Sequence, residues 1–183
     1  MKRVSVVGNA GSGKTWLAQR VAGTLGVPHV ELDAIHHLPG WEPIDPEEFE
    51  AQVEAVTLTD GWVIDGNYRT VVVDGPVWQR ADTVVWLDLP RRTVMRQVTV
   101  RTLRRIFRRE ELWNGNREPW RNLWAWDPYK SIIRWAWTQH AKYRERFGSA
   151  MASRSFAHLD FVRLKSRDQA NAWLEQLQTA RRT

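Results

Sequence analysis

The 183 residues include no cysteine, which excludes disulfides and thiolate zinc sites and makes a reducing cytoplasm the simplest home. No uncharged run is long enough to span a membrane. The start, Met1-Lys2-Arg3, is basic, but glycines and Lys14 follow too early for a signal-peptide core. A soluble, unprocessed chain with no membrane partner is expected, as a monomer or homodimer. A third absence is local. Between Arg91 and Arg109 there is no acidic residue, while arginine stands at 91, 92, 96, 101, 104, 105, 108 and 109. The whole chain carries 27 Lys and Arg against 21 Asp and Glu, a net charge of +6, so the excess is unevenly placed. Such a stretch faces a nucleic acid backbone or closes over the phosphates of a small anionic ligand.

What is present is most specific near the N-terminus. A strand-like run, Val4 to Val7, leads into Gly8-Asn9-Ala10-Gly11-Ser12-Gly13-Lys14-Thr15, a complete G-x-x-x-x-G-K-[ST] phosphate-binding loop. Its glycines let successive backbone N–H groups approach phosphate oxygens, and the following helix adds its positive end. Lys14 is expected at the β/γ-phosphates and Thr15 at Mg²⁺. Leu17, Ala18, Val21, Ala22 and Leu25 follow at helical spacing and supply the strand-turn-helix context. ATP and Mg²⁺ are the implied cofactors.

Further along, Val30-Glu31-Leu32-Asp33 reads as a second strand and Trp62-Val63-Ile64-Asp65 as a third. Val84 to Leu87 reads as a fourth, and His158 to Leu164 as the last. Asp45-Pro46-Glu47-Glu48 and Ser166-Arg167-Asp168-Gln169 have helix-capping form, and Pro90 opens the arginine-rich helix. Strands alternating with helices predict a single three-layer α/β domain over residues 1–183, with a mostly parallel sheet. Ligands then gather at the C-terminal strand ends. Residues 101–147 break the alternation and hold Trp113, Trp120, Trp124, Trp126, Trp135 and Trp137, half of the twelve tryptophans. This pattern predicts an inserted helical hairpin or lid, its tryptophans either gluing it down or contacting ligand.

Kinase chemistry needs more than a phosphate loop. Asp33 is the first candidate to orient an acceptor hydroxyl or take its proton, with an N-cap or loop role as the alternative. Glu31, two residues earlier on the same strand face, is placed to assist through water or metal, but reads more simply as exposed or paired. Asp65 is placed either to hold the Mg²⁺ water shell or to fix a turn. Arg69 is a candidate clamp for an anionic acceptor, or else a surface pairing residue. Arg101 and Arg105, four apart, rank first among the arginines for covering ATP phosphates and stabilising transfer. His36-His37 without a ligand cluster reads as polar loop residues. Trp41 is either a rigid wall of the acceptor pocket or a core anchor, and Lys165 is expected beside the adenine.

The order Gly8 to Thr15, Val30 to Asp33, then Trp62-Val63-Ile64-Asp65-Gly66-Asn67-Tyr68-Arg69 resembles adenylate-kinase-like P-loop kinases. More closely, it is similar to the bacterial DNA topology modulation proteins. The resemblance implies a nucleoside-monophosphate-kinase-type fold with a five-stranded parallel core, an acceptor region at about 34–60 and a lid within about 104–145. Asp65-Gly66 is similar to the stretch in which an aspartate assists magnesium and a nearby arginine binds acceptor phosphate, although Asn67-Tyr68-Arg69 replaces the usual aromatic-proline-arginine. Glu31-Leu32-Asp33 is similar to the paired-acid strand of shikimate-type kinases, where the later acid meets an acceptor hydroxyl. Three functions follow: a phosphotransferase acting on a small hydroxylated or nucleotide acceptor, a nucleotide-regulated DNA- or RNA-binding protein, or a non-catalytic nucleotide sensor.

Overall fold

The computed structural model describes residues 1–119 and 131–181. Trp120, Trp124 and Trp126, part of the expected lid, lie outside them. Among the described residues five strands form one all-parallel sheet in the order β2-β3-β1-β4-β5. They are β1 (Arg3–Gly8), β2 (His29–Glu31), β3 (Trp62–Asp65), β4 (Thr83–Leu87) and β5 (Asp160–Leu164). The helices are α1 (Lys14–Leu25), α2 (Leu32–His36), α3 (Pro46–Thr57), α4 (Pro76–Arg80), α5 (Arg91–Arg108), α6 (Ile132–Ala152) and α7 (Arg167–Ala180).

Alternation along β1 decides the layers. Val4 and Val6 face a core with Leu17 and Val21 of α1 and Leu174 of α7. Val7 faces the opposite core, built from Phe49 and Val53 of α3, Trp78 of α4 and Phe147 of α6. Ser5 on that second face is buried, and its hydroxyl oxygen accepts the indole N–H of Trp78 at 3.1 Å. The caps form as their sequences predict: Asp45 accepts from the amides of Glu47 and Glu48, and Ser166 from that of Gln169.

The second strand differs from expectation. It ends at Glu31, and Leu32 turns inward to open α2 with no accessible surface. Burying that leucine in the α3-side core draws the chain off the sheet edge, so Asp33 stands in a helical first turn and not on a strand. The last strand is also shorter than expected, because residues 154–156 form a 3₁₀ turn before it.

The arginine-rich segment is an 18-residue helix whose buried stripe is Val94, Val98, Thr102 and Ile106. It packs against α6 across Leu89 and Ala136, with Ala10 of the phosphate loop against the same cluster. One face of this helix is therefore interior, and Arg92, Arg96, Arg104, Arg108 and Arg109 lie on the exposed side.

Candidate active site

The phosphate loop leaves β1 and enters α1 through three residues of positive φ: Gly8 at 148°, Gly11 at 81° and Gly13 at 94°. A Cβ on Gly8 would lie 2.7 Å from the carbonyl oxygen of Leu87, and one on Gly11 would lie 2.7 Å from the Cβ of Val98. Conformation and space both demand glycine at these two positions. Two asparagines brace the loop. The Asn67 side chain accepts from the Gly8 amide at 3.2 Å and donates to the Gly8 carbonyl at 2.6 Å. Asn9 accepts from the Ala10 amide and donates to the Ala136 carbonyl of α6 at 2.7 Å. The Ser12 hydroxyl is buried without a hydrogen-bond partner, a desolvation cost that an anion accepting from it would offset. Lys14 and Thr15 begin α1, so their side chains leave from the helix's positive end.

The loop is tied to the acidic strand ends. Thr15 Oγ1 donates to Glu31 Oε1 at 3.1 Å, and Glu31 stands opposite Asp65 in the β2–β3 register. Burial pushes the Glu31 carboxyl up from its ordinary 4.5, an indole hydrogen bond from Trp113 opposes this, and the charges of Asp65 and Asp33 add to the rise. Asp65 itself is 2% exposed and holds His29 Nε2 at 2.8 Å. Glu31, whose spacing suggested an exposed or paired residue, is thus the carboxylate touching Thr15. A hydroxyl beside a carboxylate is an oxygen donor set that suits hydrated Mg²⁺.

Asp33 lies within electrostatic reach of Glu31 and accepts the Tyr68 hydroxyl at 2.7 Å. Burial, then the Asp33 charge and this hydrogen bond, keep the Tyr68 phenol protonated by raising its pKa. Around the pair stand the two histidines. The His36 ring lies 4.7 Å from that of Tyr68 and 5.3 Å from that of Phe49. His37 packs between Trp41 at 5.3 Å and Trp113 at 6.0 Å. His36 ends α2 and His37 follows it, and both Nδ1 atoms are buried without a partner among the described residues. Burial lowers both pKa values; the neighbouring His37 adds to this at His36, while Asp33 opposes it at each.

Trp41 belongs to a small loop closed by a bridge between His37 and Pro43. A second such loop, bridged between Glu111 and Arg117, faces it. Asn116 donates to the Leu38 carbonyl at 2.9 Å and accepts from the Trp41 amide at 3.0 Å, while Asn114 donates to the Ala34 and His37 carbonyls. The Trp41 indole N–H donates to the Arg117 carbonyl at 3.1 Å. The stretch expected to bind the acceptor and the start of the expected lid are thus joined side chain to backbone.

From α5, Arg101 reaches this same place. Its Nε is buried without a partner, and Glu118, Asp33 and Glu31 all lie within electrostatic reach. Burial and the adjacent Arg105 pull its pKa down, against those three carboxylates. Arg105 Nη1 meets Glu118 Oε1 at 3.3 Å, and Glu118 Oε2 is buried with no partner.

Two candidates lie apart from this cluster. Arg69 is 66% exposed and pairs with Asp74 at 2.7 Å. Lys165 follows β5 on the exposed surface, where its amide caps onto Gln169 Oε1. At the end of β4, Asp88 is 2% exposed and is held by Arg144 and Arg163, so its carboxylate is engaged within the fold.

Three residues in contact here carry no sequence signal strong enough to single them out for these roles: Asn67, Tyr68 and His29. The departure Asn67-Tyr68-Arg69 from the adenylate-kinase pattern is the available hint for the first two. Nothing local marks His29.

No family model and no curated protein matches the chain in sequence. Among solved structures it is similar to a shikimate kinase from Bacteroides thetaiotaomicron, with TM-score 0.58 and 16% identity over 100% of this chain and 99% of that one. A shikimate kinase from Acinetobacter baumannii, solved with shikimate, gives TM-score 0.55 and 15% identity over 98% and 92% of the two chains. The chain therefore shares, along nearly its whole length, the fold of these kinases.

Proposed function

We propose that this protein is an ATP-dependent phosphotransferase acting on a small hydroxylated acceptor. One observation carries the reading: Thr15, at the end of the phosphate loop, hydrogen-bonds Glu31, and Asp33 with its Tyr68 partner lies within electrostatic reach of that same carboxylate. Donor and acceptor groups therefore converge at one strand end. Thr15 and Glu31 would hold Mg²⁺, with Asp65 and His29 behind them; the ion supplies charge neutralisation of the phosphates. Lys14 draws the β/γ-phosphates into the loop. Asp33, oriented by Tyr68, accepts the proton of the acceptor hydroxyl. The hydroxyl oxygen bonds to the γ-phosphorus, the bond from that phosphorus to the bridging oxygen breaks, and its electron pair leaves on ADP. Arg101 would offer positive charge beside the transferred group, Arg105 would reach nucleotide on release from Glu118, and Lys165 would meet the adenine. Trp41 walls the acceptor side, and Arg69 would serve an anionic acceptor only by leaving Asp74.

The test is labelled ATP and Mg²⁺ with a panel of acceptors. Lys14→Ala is expected to abolish product, and Asp33→Asn to abolish transfer while largely sparing ATP binding. Full transfer by the Asp33 variant removes that residue from the chemistry.

Within this fold we propose kinship with the DNA topology modulation proteins, on the ordered stretches Gly8 to Thr15, Val30 to Asp33 and Trp62 to Arg69. A second reading, nucleic-acid binding, is favoured by the exposed arginines Arg92, Arg96, Arg108 and Arg109 along one helix. It requires affinity that falls steeply with salt and weakens when these are replaced. Undetectable binding at low salt rejects it.

A further inference from the structure

We infer that the acceptor is an electrically neutral polyhydroxylated molecule, a polyol or sugar, and neither a nucleoside monophosphate nor a carboxylated substrate. The inference rests on the phosphotransferase reading and deepens it. It begins from buried polar atoms that no described group satisfies: His36 Nδ1, His37 Nδ1 and Arg101 Nε, each within electrostatic reach of Asp33, and Glu118 Oε2 beside Arg101. Unpaired polar atoms in a dry interior are costly, and native sites carry them where a ligand supplies the missing partner. The Arg101 Nε–H can only donate and the ionised Glu118 oxygen can only accept; each imidazole Nδ1 does one or the other according to its tautomer. A ligand matching the set must therefore both donate and accept at closely spaced positions. A run of hydroxyls does both at every oxygen.

Charge points the same way. Arg105 is paired with Glu118, and Arg101 lies within reach of Glu118, Asp33 and Glu31. Three carboxylates, Glu118, Asp33 and Glu31, stand against these two guanidinium groups, so the described groups hold no surplus positive charge here. The two histidines add no charge at neutral pH, because burial lowers their pKa values. An anionic acceptor would enter beside Asp33, where Arg105 is paired with Glu118 and three carboxylates lie within reach of Arg101, and would lose hydration for little gain in counter-charge. Arg69, the candidate phosphate clamp, instead pairs with Asp74 and is 66% exposed. The walls fit as well. Trp41, Tyr68 and Trp113 pack around the histidines, and aromatic rings of this kind suit the C–H surface of a sugar.

The experiment sets three acceptor groups against each other with ATP and Mg²⁺: neutral polyols (myo-inositol, glucose, ribose), carboxylated polyols (gluconate, shikimate) and nucleoside monophosphates (AMP, CMP). Phosphorylated product from a neutral polyol, absent with Lys14→Ala, is expected. Product from the charged groups alone overturns the inference and leaves the phosphotransferase standing. If no acceptor yields product, the phosphotransferase reading falls, and calorimetric titration of Lys14→Ala protein with the same compounds still decides the pocket. Heat of binding from neutral polyols alone supports the inference; binding of charged compounds alone, or of none, overturns it. A second variant tests the charge balance. Glu118→Gln frees Arg101 and Arg105 and is expected to shift the kcat/KM ratio of neutral to carboxylated polyol by roughly tenfold toward the carboxylated one. An unchanged ratio, in a variant that retains activity, removes Glu118 from specificity.

Discussion

Asn67 holds Gly8 by both of its backbone groups, accepting from the amide at 3.2 Å and donating to the carbonyl at 2.6 Å. A side chain from the end of β3 thereby satisfies the backbone at the first residue of the phosphate loop, where the chain leaves the sheet. Asn67→Ala leaves both groups unpaired in a part-buried place. It is expected to reduce stability by about 1–3 kcal/mol, read by denaturant titration, and to weaken ATP binding more than Asn67→Asp, which keeps the acceptor.

Gly11 gives a prediction with an internal control. Its φ of 81° and the 2.7 Å approach of an added Cβ to Val98 Cβ are separate obstacles. Gly11→Ala is expected to abolish ATP binding in calorimetry. Adding Val98→Ala should not restore it, because Cβ remains in alanine, the Val98 backbone lies only 3.0 Å from the new methyl, and the φ is unchanged.

The Glu31 carboxyl carries a pH dependence. Burial first, and then the charges of Asp65 and Asp33, raise its pKa above 4.5. As pH falls through that raised value the group protonates and no longer serves as an anionic oxygen donor beside Thr15. The acid limb of kcat/KM should therefore turn down above pH 4.5, and Glu31→Gln should be low across the range without that inflection.

Asp82 carries the opposite sign. Burial alone would raise its pKa, but the amides of Arg3 and Lys2 and the Thr83 hydroxyl overcome this and set it below 3.8. A carboxylate with a lowered folded pKa stabilises the fold above its unfolded value and loses that contribution as pH falls through the folded one. Melting temperature should drop on acidification below about pH 4 in the wild type. That portion of the drop should be missing in Asp82→Asn, which begins less stable at neutral pH.

The bond pair from Asn116 to Leu38 and Trp41 predicts a separation of functions. Asn116→Ala should leave ATP affinity unchanged, raise KM for the acceptor and increase the fraction of ATP hydrolysed without transfer, since the two loops would close less firmly over Asp33. A normal ratio of transfer to hydrolysis would rule out a closing role.

Much of this architecture is legible in the sequence because its signals are local. The phosphate loop, the caps at Asp45 and Ser166 and the apolar runs of the first, third and fourth strands each lie within a few residues, and they form as read. Asp33 reads as a strand residue because Val30 and Leu32 alternate with acids, a pattern that does not reveal that Leu32 is buried by the α3-side core. The histidines show why spacing alone misleads. Side by side they offer no metal-ligand pattern, and their surroundings come from Phe49, Tyr68 and Trp113, far along the chain. Glu118 becomes a partner of Arg105 only when the segment after α5 folds back. Such pairings depend on tertiary closure, which short-range periodicity does not encode.

The contact of Gly11 with Val98 has a mechanical side. Val98 and Arg101 are less than one turn apart on α5, and an α-helix is stiff over so short a span. The phosphate loop thus leans on the same rod that carries the Arg101 guanidinium to the carboxylates of Glu31, Asp33 and Glu118. On the proposed function, a change of volume at residue 98 would be felt at both ends of that rod, so the grip on nucleotide and the choice of acceptor would share one mechanical element.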